Sequence, residues 1–201
     1  MSKTVLFIDG ENIRHYLITV LRSKGIVKDK IDIENFDYSG LFNRSLKGIR
    51  ISEKRFYSAK LRVYENTLKK SRELILKQRI LKTNLEKQGF SFILSGNVRP
   101  QEIRTDGKIK VIFKEKGVDV RIAVDLVANA CDKSINTAIL CSSDSDLQPA
   151  VKEVMSRKTE VVYLGFEINP NKGLSYTTNR TILIRNSEVI ETYKNLPLIN
   201  K

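Results

Sequence analysis

Two stretches far apart in the chain end an apolar run in carboxylates. "VLFIDGEN" (Val5 to Asn12) passes from four apolar residues into Asp9, Gly10, Glu11 and Asn12. "AILCSSDSD" (Ala138 to Asp146) closes in the same way on Asp144 and Asp146. Carboxylates brought together repel one another even at an effective dielectric constant of about 20, and a divalent cation reverses the sign of that interaction. An all-oxygen ligand set selects Mg2+ or Mn2+, and Mg2+ commonly takes one or two protein carboxylates plus water and a substrate phosphate. A third stretch, "EKGVDVRIAVDL", sets Asp119 just after Gly117 at the start of a helical pattern.

Each acid also has a plainer reading. Asp144 or Asp146 could cap the helix that follows, with Pro149 in its first turn, and Asp119 is favourable at a helix N-terminus by its charge alone. Asp9 is harder to explain that way, because Gly10 intervenes and the strand before it is deeply apolar. Asp125 lies six residues beyond Asp119, about 120° around a helix, so the two do not share one tight face.

For these acids to meet, their strands must be parallel neighbours, since residues past the carboxyl ends of parallel strands gather on one edge. Val5–Asp9 reads as a buried strand, short and apolar without alternation, and residues 12–24 as a helix ended by Gly25. Residues 26–48 are polar and irregular in pattern, a loop or a partly helical excursion. A strand follows over Ile51–Leu61, then a long helix over Glu65–Gln88 stopped by Gly89, then a strand at Phe90–Leu94. An Asp106-Gly107 turn precedes a strand over Lys108–Lys114. Val118–Ala130 is helical in composition. Thr137–Ser142, Asp146–Ser156 and Glu160–Leu164 give a strand-helix-strand unit of the parallel type. The expected fold is α/β, a three-layer sandwich around a mostly parallel sheet, with a β-hairpin insertion around 90–115.

"FIDGEN", "KGVDVRIAVDL" and "SSDSDLQPAV", in this order, resemble the NYN-domain family, and more closely its LabA-like branch within the PIN-like nuclease superfamily. The resemblance runs from about Lys3 to Gly165. It implies a single domain over 1–201, with a variable C-terminal tail from about 166, and metal-dependent cleavage of RNA phosphodiesters. It places the acidic centre on Asp9, Asp119 and Asp144 as metal ligands, with Asp146 close by and Asn12 matching the family's asparagine. A cation held there would activate a bound water and neutralise charge on the phosphate, with Asn12 bonding Asp9 or a phosphate oxygen and Asp146 orienting water or a second metal. Where many relatives carry a further acid in the C-terminal region, this chain has Asn179 and Arg180.

Charge points to the same partner. The 201-residue chain has a formal charge of +13, and residues 44–88 hold 14 Lys/Arg against four Asp/Glu. Such a basic segment favours a polyanion. Arg55, Lys60 and Arg62 are the phosphate contacts expected in it, with Phe56, Tyr57 and Tyr64 beside them for base stacking or for core packing. Lys116 would meet a phosphate next to Asp119, while His15, the only histidine, reads as a surface or packing residue. RNA is expected over DNA, a membrane is not a partner, and a homodimer is left open. The early apolar run is too short for a secretory leader. Cys131 and Cys141 lack metal spacing and read as reduced core residues, so the cytoplasm is the expected location. Two other functions compete. One is an RNA-binding module without chemistry. The other is a phosphatase of the haloacid dehalogenase class, which needs Asp-x-Asp where this chain has Asp9 and Glu11.

Overall fold

The computed structural model describes residues 3–105 and 108–194; the expected Asp106-Gly107 turn lies outside them. In chain order the elements are β1 (Thr4–Asp9), α1 (Gly10–Ser23), α2 (Tyr38–Ser45), β2 (Glu53–Lys60), α3 (Leu68–Lys87), β3 (Ser91–Thr105) and β4 (Lys108–Lys116). Then follow α4 (Val118–Cys131), β5 (Thr137–Cys141), α5 (Gln148–Ser156), β6 (Glu160–Phe166), α6 (Lys172–Thr177), β7 (Arg180–Ile184) and α7 (Asn186–Lys194). The sheet order is β4-β3-β2-β1-β5-β6-β7. Every neighbouring pair is parallel except β3 and β4, which are antiparallel.

Both faces of the sheet are covered, which is why β1 shows no alternation in its sequence. Leu6 and Ile8 pack with Ile13, Leu17 and Val20 of α1, Phe42 of α2, Leu81 and Leu85 of α3 and Val189 of α7. Val5 and Phe7 point the other way, into Ile122 and Leu126 of α4, Val151 and Val154 of α5 and Leu174 of α6. Two cores and one sheet make the three layers expected.

Strand order decides where a site can form. The chain steps outward from β1 to β2 and β3, then returns to the other side of β1 for β5, β6 and β7. The reversal falls between β1 and β5, which pair directly, with Ile8 opposite Cys141. Adjacent connections leave in opposite directions there, so a crevice opens at the carboxyl ends of these two strands.

Two expectations need correction, the extent of β3 and the place of Cys131. The strand at Phe90–Leu94 is only the first part of β3. At Gly96 the backbone turns to φ +66° and the register with β2 shifts, yet the strand continues and pairs with β4 from Asn97 opposite Lys116 to Thr105 opposite Lys108. The helical part of the stretch 26–48 is α2, whose Leu41 and Phe42 are fully buried. The residues after 166 include β7, which pairs with β6, and α7, whose Val189 is fully buried. Cys131 is exposed rather than in the core, while Cys141 is buried.

Candidate active site

Gly10 sets the geometry at the end of β1. A Cβ at this position would run into the Phe56 ring and the Tyr57 carbonyl oxygen, so only glycine lets α1 begin directly against β2. Asp9 thereby becomes the N-cap of α1, its carboxylate accepting from the Asn12 backbone N–H at 3.1 Å. The other Asp9 oxygen accepts from the Ser142 hydroxyl at 3.0 Å. Ser142 Oγ in turn accepts from the Asp144 backbone N–H at 3.2 Å. One buried serine therefore ties the end of β1 to the end of β5.

The β5 loop is held from two further directions. Asn12 Oδ1 accepts from the Ser143 N–H at 3.1 Å, and Asn171, which caps α6, donates from Nδ2 to the Ser143 carbonyl at 2.9 Å. Tyr163 completes the brace, its hydroxyl 3.0 Å from Ser143 Oγ and accepting from the Asn171 N–H at 2.9 Å. Asp144 folds into its own short turn, with one carboxylate oxygen accepting from the Asp146 N–H at 2.9 Å.

On the far side, β4 delivers a second set of groups. Gly96 and Gly117 allow a close backbone crossing: a Cβ on Gly96 would strike the Lys116 carbonyl. The chain then turns at Gly117, φ +85°, straight into α4. That crossing aims Glu115, Lys116 and Asp119 into the same cleft as Asp9 and Asp144. The cleft measures about 610 Å³ and is lined also by Glu11, Asn12 and His15.

The acids in this cleft perturb one another. Burial raises the Asp9 carboxyl above the ordinary range, and the charges of Asp144 and Glu11 add to it, while the Asn12 N–H and Ser142 hydroxyl pull it back. Asp9 is 8% exposed. Glu115 is pushed up to about 7, chiefly by burial and then by the charges of Asp9 and Glu11. Such an acidic crevice, unfavourable when every member is ionised, is one a cation relieves.

The sequence-derived candidates divide as follows. Asp9, Asn12, Lys116, Asp119 and Asp144 line the cleft; Asp146 is exposed and absent from its lining. Asn12 is a structural clamp: its backbone N–H bonds Asp9, but its side-chain oxygen accepts from Ser143. Lys60 and Arg62 are exposed, and the parallel register sets Tyr57 beside Asp9, so both lie beyond the level of Asp9 on the cleft edge. Arg55 does not belong with them. It sits lower on β2, its guanidinium paired with Glu53 at 2.6 Å and stacked over Phe7. Phe56 and Tyr57 are fully buried, which makes them core, and the Tyr57 hydroxyl donates to Asp125 at 2.9 Å. Asp125 is further occupied by Arg121, in keeping with its exclusion as a ligand. Asn179 and Arg180 sit at the amino ends of β6 and β7, where Asn179 Oδ1 accepts from the Val161 N–H, so neither reaches the cleft.

Glu115, Ser142 and Asn171 are the groups that sequence reasoning missed. Ser142 had a signal, being the residue on which the β5 run ends. Glu115 had none, since a glutamate among lysines in an outer strand reads as a solvated side chain.

A protein-family model described as NYN domain matches residues 3–184. A crystal structure of a protein of unknown function from Vibrio parahaemolyticus is similar over 91% of this chain and 93% of that one, at 21% identity and a TM-score of 0.56. That likeness concerns the fold. A search of curated proteins gives no match.

Proposed function

Because the chain belongs to the NYN-domain family, we propose that it is a metal-dependent ribonuclease, hydrolysing RNA phosphodiester bonds in the cleft between β1, β5 and the start of α4. Within the family we place it in the LabA-like branch, on the three motifs around Asp9, Asp119 and Asp144. The observation that carries the reading is the meeting of Asp9, Glu115, Asp119 and Asp144 in one crevice at the switch point of the sheet. Membership also removes the phosphatase alternative, and Glu11, its required second acid, is exposed and paired with Arg14.

The donor set suits a hard cation. Among the described residues no group of three or more His, Cys, Asp or Glu side chains forms a ready-made cage. Mg2+ and Mn2+ keep several waters and need few protein carboxylates, so these acids need not close on the ion by themselves. Asp9, Asp119 and Asp144 would hold the ion, which when bound supplies an activated water and charge neutralisation on the scissile phosphate. Asp9 is fixed for this role by Ser142 and the Asn12 N–H. Glu115, with its carboxyl near neutrality, takes up or releases a proton beside the reacting phosphate. Lys116 meets a phosphate oxygen, and Lys60 and Arg62 hold the strand at the rim. Asp146, exposed beside the crevice, orients water at its edge. Two free cysteines suit a reducing compartment, and no helix among the described residues is long and apolar enough to cross a membrane.

A second reading, an RNA-binding module without chemistry, is favoured by one observation. Both Asp9 oxygens and one Asp144 oxygen are already committed to hydrogen bonds. A cleavage assay on labelled RNA in Mn2+ and Mg2+ separates the two. Hydrolysis by the native chain that is lost in Asp9→Asn and in Asp144→Asn supports the nuclease. Binding without hydrolysis in either metal supports the module, and hydrolysis that survives both substitutions comes from a contaminant.

A further inference from the structure

The outer end of the sheet carries a feature that the cleft does not use. Beyond Asn97, β3 has left β2 behind, and Val98 to Thr105 pair only with β4. Eight residues at about 3.4 Å each make a two-stranded ribbon projecting roughly 27 Å past the carboxyl edge. Its root is fixed, because the Tyr64 hydroxyl donates to the Val98 carbonyl at 2.7 Å. Its base leads directly into the cleft through Glu115 and Lys116.

The two faces of the ribbon differ. Arg99 stands directly opposite Lys114 across the ladder, both exposed, and residues directly opposite share a face. Like charges so placed weaken a sheet, and neither has an ion-pair partner among the described residues. On α3, Lys70 and Lys77 pair with Glu73 and Lys82 with Glu86; Lys69, Arg72, Arg79 and Lys87 have no ion-pair partner among the described residues, so what distinguishes Arg99 and Lys114 is that the ladder sets them face to face. The next pair, Pro100 and Phe113, falls on the other face, so the described ribbon itself presents no aromatic beside Arg99 and Lys114, and Tyr64 at its root is engaged through its hydroxyl with Val98. Lys60, opposite Asn97, continues the basic face toward β2.

We propose that this ribbon is an arm that grips the phosphate backbone of a base-paired RNA segment lying beside the cleft. An uncompensated pair of cations is relieved by an anion. A face without a stacking platform reads phosphates rather than splayed bases, whereas extended single strands are ordered largely by base stacking on aromatics. An A-form stem presents phosphates at fixed spacing and is recognised by shape and backbone. The substrate is then a structured RNA, held by its stem and cut at the adjoining strand. This specifies the substrate of the ribonuclease proposed above and rests on that reading.

The test measures binding in EDTA, which is blind to whether the cleft cuts. Fluorescence anisotropy compares a labelled stem-loop RNA with an unstructured strand of equal length, for the native chain, Arg99→Ala and Lys114→Glu. Both variants are expected to weaken stem-loop binding by about tenfold and to flatten its salt dependence by about one unit of slope per cation removed. Binding of the unstructured strand should hold within about twofold. Lys114→Glu should melt no lower than the native chain, since it turns a repulsive pair into an attractive one, and Arg99→Ala repeats the test without touching β4. Native stem-loop affinity in both variants overturns the proposal, as does an equal loss for the unstructured strand. Metal-dependent cleavage of unstructured RNA, assayed separately, keeps a failure of the arm distinct from a failure of the nuclease.

Discussion

Asp9 and Ser142 show how much one side chain can depend on another. Ser142 is the only hydroxyl on Asp9 among the described residues and also receives the Asp144 N–H, so Ser142→Ala should disturb both acids while leaving each in the chain. Its expected effect is a loss of about 10- to 100-fold in cleavage or metal affinity, the usual range for groups that orient a metal ligand. Titrating Mn2+ into cleavage reactions of the variant would measure it. Glu115 gives a pH prediction. Its carboxyl lies at about 7 in the fold against 4.5 ordinarily, so the folded state binds the extra proton between those values. The sign follows: its contribution to stability is full below pH 4.5 and is lost as pH rises to about 7. Urea unfolding across that range should show native stability falling relative to Glu115→Gln, and Mg2+ restoring it near neutrality. At this scale the acids that follow apolar strands were legible, since burying a strand that ends in a carboxylate demands a reason. Glu115 was not, because its inward turn depends on a glycine crossing between residues 96 and 117 that local pattern does not encode.

The elements place these residues through close contacts at a few backbone positions. Gly10→Ala puts a methyl group against the Phe56 ring and the Tyr57 carbonyl. Backbone on one side and a packed aromatic on the other leave little room to yield, so the expected cost is about 1–3 kcal/mol, read as a lower urea midpoint. Cleavage should fall further than stability does, because Asp9 moves with the start of α1. Helices α1, α3, α4 and α5 and the central strands were legible to within a few residues, since α1, α3 and α4 have clear periodicity or stops. β3 was shortened because a glycine inside a strand pattern reads as its end. Here Gly96 is a bend, and the strand resumes beyond it. α7 was missed for a different reason. Its nine residues carry few apolar positions, and only Val189 and Thr192 are buried.

Across the whole molecule, the acids of the cleft and the excess of positive charge have different places. The acids occupy a crevice at the switch point, while basic residues lie on its rim, on α3 and on the ribbon. A polyanion would be drawn to the rim, and on the proposed reading a cation in the crevice would offset the repulsion between its acids and the phosphates. The C-terminal segment belongs to this unit although the family match ends at residue 184. A chain cut after Arg185 loses the fully buried Val189, and its stability should drop by about 2 kcal/mol or more, the burial value of one such side chain. Unfolding in urea would register it. Charge imbalance and fold class could be read from sequence, whereas strand order could not, and strand order is what makes β1 and β5 neighbours. Diffraction from crystals soaked in Mn2+, using its anomalous signal, tests the metal centre most directly. Manganese coordinated by Asp9 and Asp144, with Asp119 facing it, is the predicted result; a saturating soak that leaves the crevice without manganese would contradict the nuclease.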